Sequence, residues 1–178
     1  GVCSHAEGAG SISSGSYSHA EGFYNSALGV ASHAEGLRNS SSGDYSHAEG
    51  RFTNAIEDYS HAEGYQTSAS GQYSHAEGFS TIAQGSYSHA EGPATTAVGN
   101  YSHAEGQTTT ASANSSHAGG KFTIASGSQS YASGAGFVQG AEIEAGALQA
   151  FVHYRKSNAL GGPIGVYSDD SVILGGMD

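Results

Sequence analysis

Nine of the chain's ten histidines stand at one spacing. His5, His19, His33, His47, His61, His75, His89, His103 and His117 each take second place in a pentapeptide, Ser-His-Ala-Glu-Gly, that recurs every fourteen residues. Glu7, Glu21, Glu35, Glu49, Glu63, Glu77, Glu91 and Glu105 follow two places on, and Gly119 ends the series. In an extended segment, His-x-Glu puts an imidazole and a carboxylate on one face, within hydrogen-bond or metal-bridging reach. Hydrogen-bonded pairs of this kind at a subunit interface supply register and specificity. Repeated His/Glu shells gathered from several chains could instead bind zinc, nickel or an anion, since imidazole suits those metals. Both chemistries need the same thing, which is a scaffold that stacks the pentapeptides in register.

A strict fourteen-residue period without insertions is the signature of a solenoid. The 178 residues include 28 glycines, no tryptophan and only 12% charged residues. Much of the apolar fraction is alanine, whose burial removes little surface at about 25 cal/mol per Å². A monomer so built is expected to be marginal, with association of copies completing the core. The net charge is -11, and the only basic residues are Arg38, Arg51, Lys121, Arg155 and Lys156. That excludes a phosphate-backbone binder, which needs clustered Lys or Arg. Acidity of this kind suits the solubility of an exposed fibre. Cys3 is the single cysteine, so neither an intrachain disulfide nor a thiolate zinc cluster can form. No signal peptide and no apolar run near the ~20 residues of a spanning helix is visible, and no membrane contact is expected for this segment. The start at Gly1, in mid-repeat, reads as an excised piece of a longer fibre.

A seven-residue echo lies inside each unit: Ser60-His61-Ala62-Glu63-Gly64 is followed by Thr67-Ser68-Ala69-Ser70-Gly71. Each unit therefore reads as two strands of about five residues, each ended by a glycine where a corner needs positive φ. A helix is excluded, because glycine every seven residues would cost about 1 kcal/mol each. Alternation sends Ser, Thr and Ala inward and the x positions outward. His and Glu then share the outer face of one sheet, while Ser26, Leu28, Asn54, Ile56, Ile82 and Gln84 vary on the other. One sheet faces something that repeats; the other faces solvent.

The small-x-Ala-x-Gly unit resembles the head repeat of trimeric autotransporter adhesins, the YadA-like head, over residues 1–134. The resemblance implies an all-β fold, a left-handed parallel β-roll with two strands per fourteen-residue coil, and a homotrimer. The family's pentad is Ser-Val-Ala-Ile-Gly, its aliphatics packed against neighbouring subunits. Here His and Glu stand in those places, so the His and Glu named above become the expected trimer interface. Ser-His-Ala-Glu-Gly versions are also similar to segments of Gram-positive and phage fibre proteins.

Tyr17, Tyr45, Tyr59, Tyr73, Tyr87 and Tyr101 precede the motif serine and are expected to stack as a ladder at one corner. A carbohydrate-binding platform is the sharper alternative for them. A threonine file (Thr53, Thr67, Thr81, Thr95, Thr109, Thr123) invites an ice-binding reading, but it falls on the inward register. His-Ala-Glu is similar to the zinc-deaminase signature, which also needs Pro-Cys-x-x-Cys, and Cys3 stands alone. No catalytic residue, metal or cofactor is assigned, and the chain is expected not to be an enzyme. Residues 135–178 lose the file and read as a cap, neck or transition, with Phe137, Val138 and Phe151 at an apolar interface. Two out-of-phase pentads, Ser157–Gly161 and Ser171–Gly175, follow.

The expectation is thus a rod of about ten coils, on the order of 45–50 Å at ~4.8 Å per coil. It would form the adhesive head of a surface fibre on a cell or virion, binding a host-surface protein or glycan. The alternative is a phage tail-fibre or spacer segment, with metal or an anion held by His and Glu on the trimer axis. If His⁺–Glu⁻ pairs form, the assembly tolerates acid to about pH 5 and fails as glutamates protonate near 4.3.

Overall fold

The computed structural model describes residues 1–140 and 151–154, with side chains through residue 134. The chain winds into a parallel β-solenoid of about fourteen residues per turn. Each coil contributes a long strand that begins at the motif histidine, such as His19–Phe23, His33–Leu37, His47–Arg51, His61–Tyr65 and His75–Phe79. It then contributes a short one, such as Ser26–Ala27, Asn54–Ala55 or Ile82–Ala83. Long strands pair with long and short with short, always in register: His61 faces His75, Glu63 faces Glu77, and Ser68 faces Ile82. The second strand is therefore two residues, not about five, because the chain turns directly after it into the next corner.

Each coil turns at two left-handed residues, seven apart: Tyr24, Ala31, Arg38, Tyr45, Phe52, Tyr59, Gln66 and Tyr73 have φ between 53° and 58°. The seven-residue echo in the sequence is the trace of these turns. Glycine with positive φ precedes only one of the two corners, at Gly22, Gly36, Gly50 and Gly64 (φ 104–107°). At the other, Gly29, Gly43, Gly71 and Gly85 are required for closeness instead. A Cβ on Gly71 would lie 2.1 Å from the Gly85 carbonyl oxygen. Left-handed non-glycine residues cost about 1 kcal/mol or more each. Hydrogen bonds between coils offset this: Tyr59 N–H donates to the Asp44 carbonyl at 2.9 Å and Phe52 N–H to the Leu37 carbonyl at 3.0 Å. The motif serine closes the tyrosine corner from inside, its hydroxyl donating three residues back (Ser18 to Gly15, 2.7 Å; Ser74 to Gly71, 2.6 Å; Ser102 to Gly99, 2.6 Å).

The interior holds only small side chains. Ala20, Ala34, Ala62, Ala76 and Ala90 from the long strands meet Ala27, Ala55, Ala69 and Ala83 from the short ones, all fully buried. The threonines named above are fully buried too, on the inward register, so no threonine array faces solvent. Asn25 and Asn39 take the same inward place in two early coils. Asn39 N–H donates to the Asn25 side-chain oxygen, and Thr53 N–H to that of Asn39. An Ala76→Leu chain is expected to lose about 1–3 kcal/mol of stability, because two thin sheets cannot part to admit the added carbons. Thermal unfolding followed by circular dichroism measures it; an unchanged midpoint would show that the interior has room.

Past Gly120, which faces Gly134, the register slips between Lys121 and Thr123, so that Lys121 faces Ala135 but Thr123 faces Val138. Tyr131 then faces Phe151, twenty residues on. The expected apolar packing of Phe137, Val138 and Phe151 concerns side chains outside those described, and so do the two late pentads. Among the described residues, no helix is long and apolar enough to cross a membrane.

Candidate functional site

Register between coils turns the nine motif histidines into one stack. From His33 to His103 the ring centroids lie 4.6–4.9 Å apart and successive planes differ by only 1–3°. The ends loosen: His5 and His19 are tilted by 48°, and His117 meets His103 edge-on at 62°. The glutamates form a parallel file two places along the same face. Histidine and glutamate therefore share one face, as expected.

Their pairing changes hand midway. His19, His33 and His47 lie 3.4–3.7 Å from the glutamate of their own coil, and His5 lies 3.3 Å from Glu7. His75, His89, His103 and His117 instead approach the glutamate of the coil before, Glu63, Glu77, Glu91 and Glu105, at 3.3–4.0 Å. His61 stands at the changeover, and no carboxylate oxygen among the described residues lies within pairing distance of it. At the far end Gly119 offers no carboxylate, and the His117 ring turns back to Glu105.

The charge state differs from the expected His⁺–Glu⁻ pairs. His33, His47, His61, His75 and His103 are all held below the ordinary imidazole range. Desolvation is the main cause, and the imidazole of the next coil comes second. The carboxyls share protons along their own file. Glu63 is pushed up to about 7, chiefly by its hydrogen bonds to Glu77 and Glu49. Glu77, which accepts from Glu63, is held down, and Glu91 is pushed up by Glu77 and by desolvation. At those five levels the imidazole resists charging, and at Glu63, Glu77 and Glu91 successive carboxyls are pushed up, down and up.

One histidine and two glutamates converge at four successive levels: Glu49, His61 and Glu63; Glu63, His75 and Glu77; Glu77, His89 and Glu91; Glu91, His103 and Glu105. One donor atom from each lies within 4.8 Å of the others. Imidazole plus carboxylate is a donor set that suits zinc or nickel.

Of the six tyrosines, five form the ladder. Tyr45, Tyr59, Tyr73, Tyr87 and Tyr101 stack at 4.8–5.1 Å with planes within 4–10°. Tyr17 stands outside it, because Ala31 occupies the coil between. The ring faces cover one another, so edges and hydroxyls are what remain in solvent. That geometry opposes a sugar platform, which needs open faces. The Tyr59 phenol is pushed up, first by desolvation and then by repulsion from the phenol groups of Tyr73 and Tyr45.

The opposite corner went unread in the sequence. There Arg38 lies over the rings of Tyr24 and Phe52 (5.8 and 5.9 Å), and Arg51 over Phe52 and Tyr65 (5.0 and 5.4 Å). Phe79 stacks on Tyr65 at 5.3 Å. The available signal was positional: these residues take the two places after the pentad glycine in successive coils.

Compared with known proteins, the chain matches no family model and no curated protein. The functional reading therefore rests on the repeat's own geometry.

Proposed function

We propose that this chain is the rod-like head of a homotrimeric surface fibre, on a cell or a virion, and that it acts by adhesion rather than catalysis. The observation that carries the reading is the contrast between the two faces. The long-strand face repeats one His/Glu pattern through eight coils. The short-strand face is irregular, with Ile12, Leu28, Ile56, Ile82 and Val98 exposed among polar neighbours. A uniform sheet suits a partner that repeats with the same rise, and a parallel copy of the chain has that rise. The downward push on five of the imidazoles supports burial there, since a group that resists charging leaves water more readily. An interior of alanine with small polar side chains supplies little apolar burial, so association adds what the single coil lacks. The irregular face is left outward to meet a host protein or glycan. Convergence of His and Glu at four levels favours a second reading, a spacer loaded with a divalent cation.

Sedimentation of the purified chain is expected to give a mass near three chains, and a glycan and matrix-protein screen on that species is expected to find a ligand. A stable, well-folded monomer would sink the trimer; a trimer with no ligand would leave the spacer.

A further inference from the structure

Charge outside the glutamate file is sorted by corner. Among the described residues, only three carboxylates lie off that file: Asp44, Glu57 and Asp58. All three sit at the tyrosine corner of the two coils that carry His33 and His47. All three basic residues described sit at the opposite corner: Arg38 and Arg51 in those same two coils, and Lys121 five coils further along, where no acidic residue stands at the tyrosine corner. Arg38, Arg51 and Glu57 are exposed, and Asp44 and Asp58 are half-buried. The two corners are separated by the width of the coil. Among the described residues, neither guanidinium forms an ion pair within the chain; both lie over aromatic rings.

The acidic corner has a local task that does not need its charge. The Asp44 side chain accepts from Val30 N–H, and that of Asp58 from Asp44 N–H, both at 2.8 Å. Asn100 and Asn114, three and four coils beyond Asp58, make the same one-coil bond, accepting from Ser86 N–H and Asn100 N–H. Asparagine serves where asparagine stands, so the negative charge at 44 and 58 is surplus to the cap. Glu57 replaces the glycine that most coils carry at its position, and its side chain accepts no hydrogen bond among those described.

We propose that these corners are the two halves of one contact between copies of the chain. The Arg38/Arg51 corner of one copy docks on the Asp44/Glu57/Asp58 corner of the next, at the same height. This rests on the reading above that copies associate side by side, and it specifies how they are set. Rotation about an axis parallel to the rod keeps every coil at its own level. Each copy then offers its basic corner to one neighbour and its acidic corner to the other, and the ring closes. An antiparallel pair would place Arg38 and Arg51 against distant coils, where Gly85, Ser86, Gly99 and Asn100 carry no charge. Since the His/Glu face repeats identically, a copy could slide by one coil and match again. The acidic corner occurs at one height only among the described residues, and the pair of arginines at that same height, so the two together select the register.

The test uses the full chain and sedimentation equilibrium at low and high salt. Arg38→Glu with Arg51→Glu is expected to raise the dissociation constant of the assembly at least about tenfold at low salt, with the loss shrinking near 1 M salt. Adding Glu57→Arg and Asp58→Asn to that chain, which keeps an acceptor for Asp44 N–H, is expected to recover part of the affinity. Arg38→Gln with Arg51→Gln is the gentler variant. Gln66 and Gln107 already occupy the equivalent places, so the roll accepts it. It is expected to weaken assembly several-fold and to flatten its salt dependence. Circular dichroism shows whether each variant keeps the parent's strand content. Parent-like assembly of both arginine variants, or no recovery in the quadruple one, overturns the corner contact while the trimer stands. A monomeric parent overturns both.

Discussion

A Gly64→Ala chain is expected to lose at least about 3 kcal/mol, and to unfold first around the coils of His61 and His75. Two costs act together. Gly64 has φ +106°, outside the region that residues with a Cβ adopt readily. The added carbon would also lie 2.3 Å from the Gly78 carbonyl oxygen and 3.0 Å from its nitrogen. Both atoms belong to the backbone of the coil above, so relief requires parting two strands rather than turning a side chain. In a solenoid each coil is held by its neighbours, and a parted pair weakens the coils on both sides. Gln66→Gly is the control. Gln66 is also left-handed, at φ 56°, but it already carries a side chain into solvent, so its removal is expected to be mild. Thermal melts give the size, and amide exchange gives the place. A Gly64→Ala chain that melts with the parent would mean that the coil spacing is not fixed by glycine.

The second large effect is one of protonation. Replacing Glu63 by glutamine is expected to raise the melting temperature at pH 8 and to leave it unchanged at pH 4.5. In the unfolded chain Glu63 loses its proton near 4.5, and in the roll only at about 7. Its protonated form is the one the fold favours. That contribution is fully present below 4.5 and is lost as pH rises through 7. Glutamine keeps the neutral, hydrogen-bonding state at every pH. Because the side chain is about one-third exposed, solvent screening cuts the effect well below the full shift. A rise on the order of 2–4 °C is expected, which is what about 1 kcal/mol gives a chain of this size. His33, His47, His61, His75 and His103 act in the opposite sense. Their folded values are lowered, so the stability they contribute is lost as pH falls below the unfolded value of about 6.5. They are common to parent and variant, and the difference isolates Glu63. Equal melting of the two chains at pH 8 would show that the carboxyls do not share protons along the file. The imidazole shifts also move the onset of acid loss upward, from the glutamate range expected of ion pairs to the histidine range.

The fourteen-residue period, the inward Ser, Thr and Ala, and the shared outer face of His and Glu are all legible in the sequence. They follow from one physical fact, the alternation of side chains along a strand, which needs no knowledge of distant contacts. The motif serine's inward place was readable; its bond to the carbonyl three residues back, as between Ser74 and Gly71, was not, because it depends on the corner's shape. Composition likewise sufficed to see that the interior is thin, since alanine cannot fill a deep one. Other properties belong to the stacking of coils. Gly64 and Gly71 look alike in the repeat, yet one is there for its φ as well as for closeness to the next coil, and the other for closeness alone. The imidazoles that resist charging, the proton held by Glu63 and the change of partner at His61 all depend on neighbours fourteen residues away and on lost water. Only once the coils are closed do Arg38 and Asp44, six residues apart in sequence, come to stand on opposite sides of the rod. Local periodicity specifies which way a side chain points; what it meets there is decided by the coil above, the coil below and the solvent they exclude.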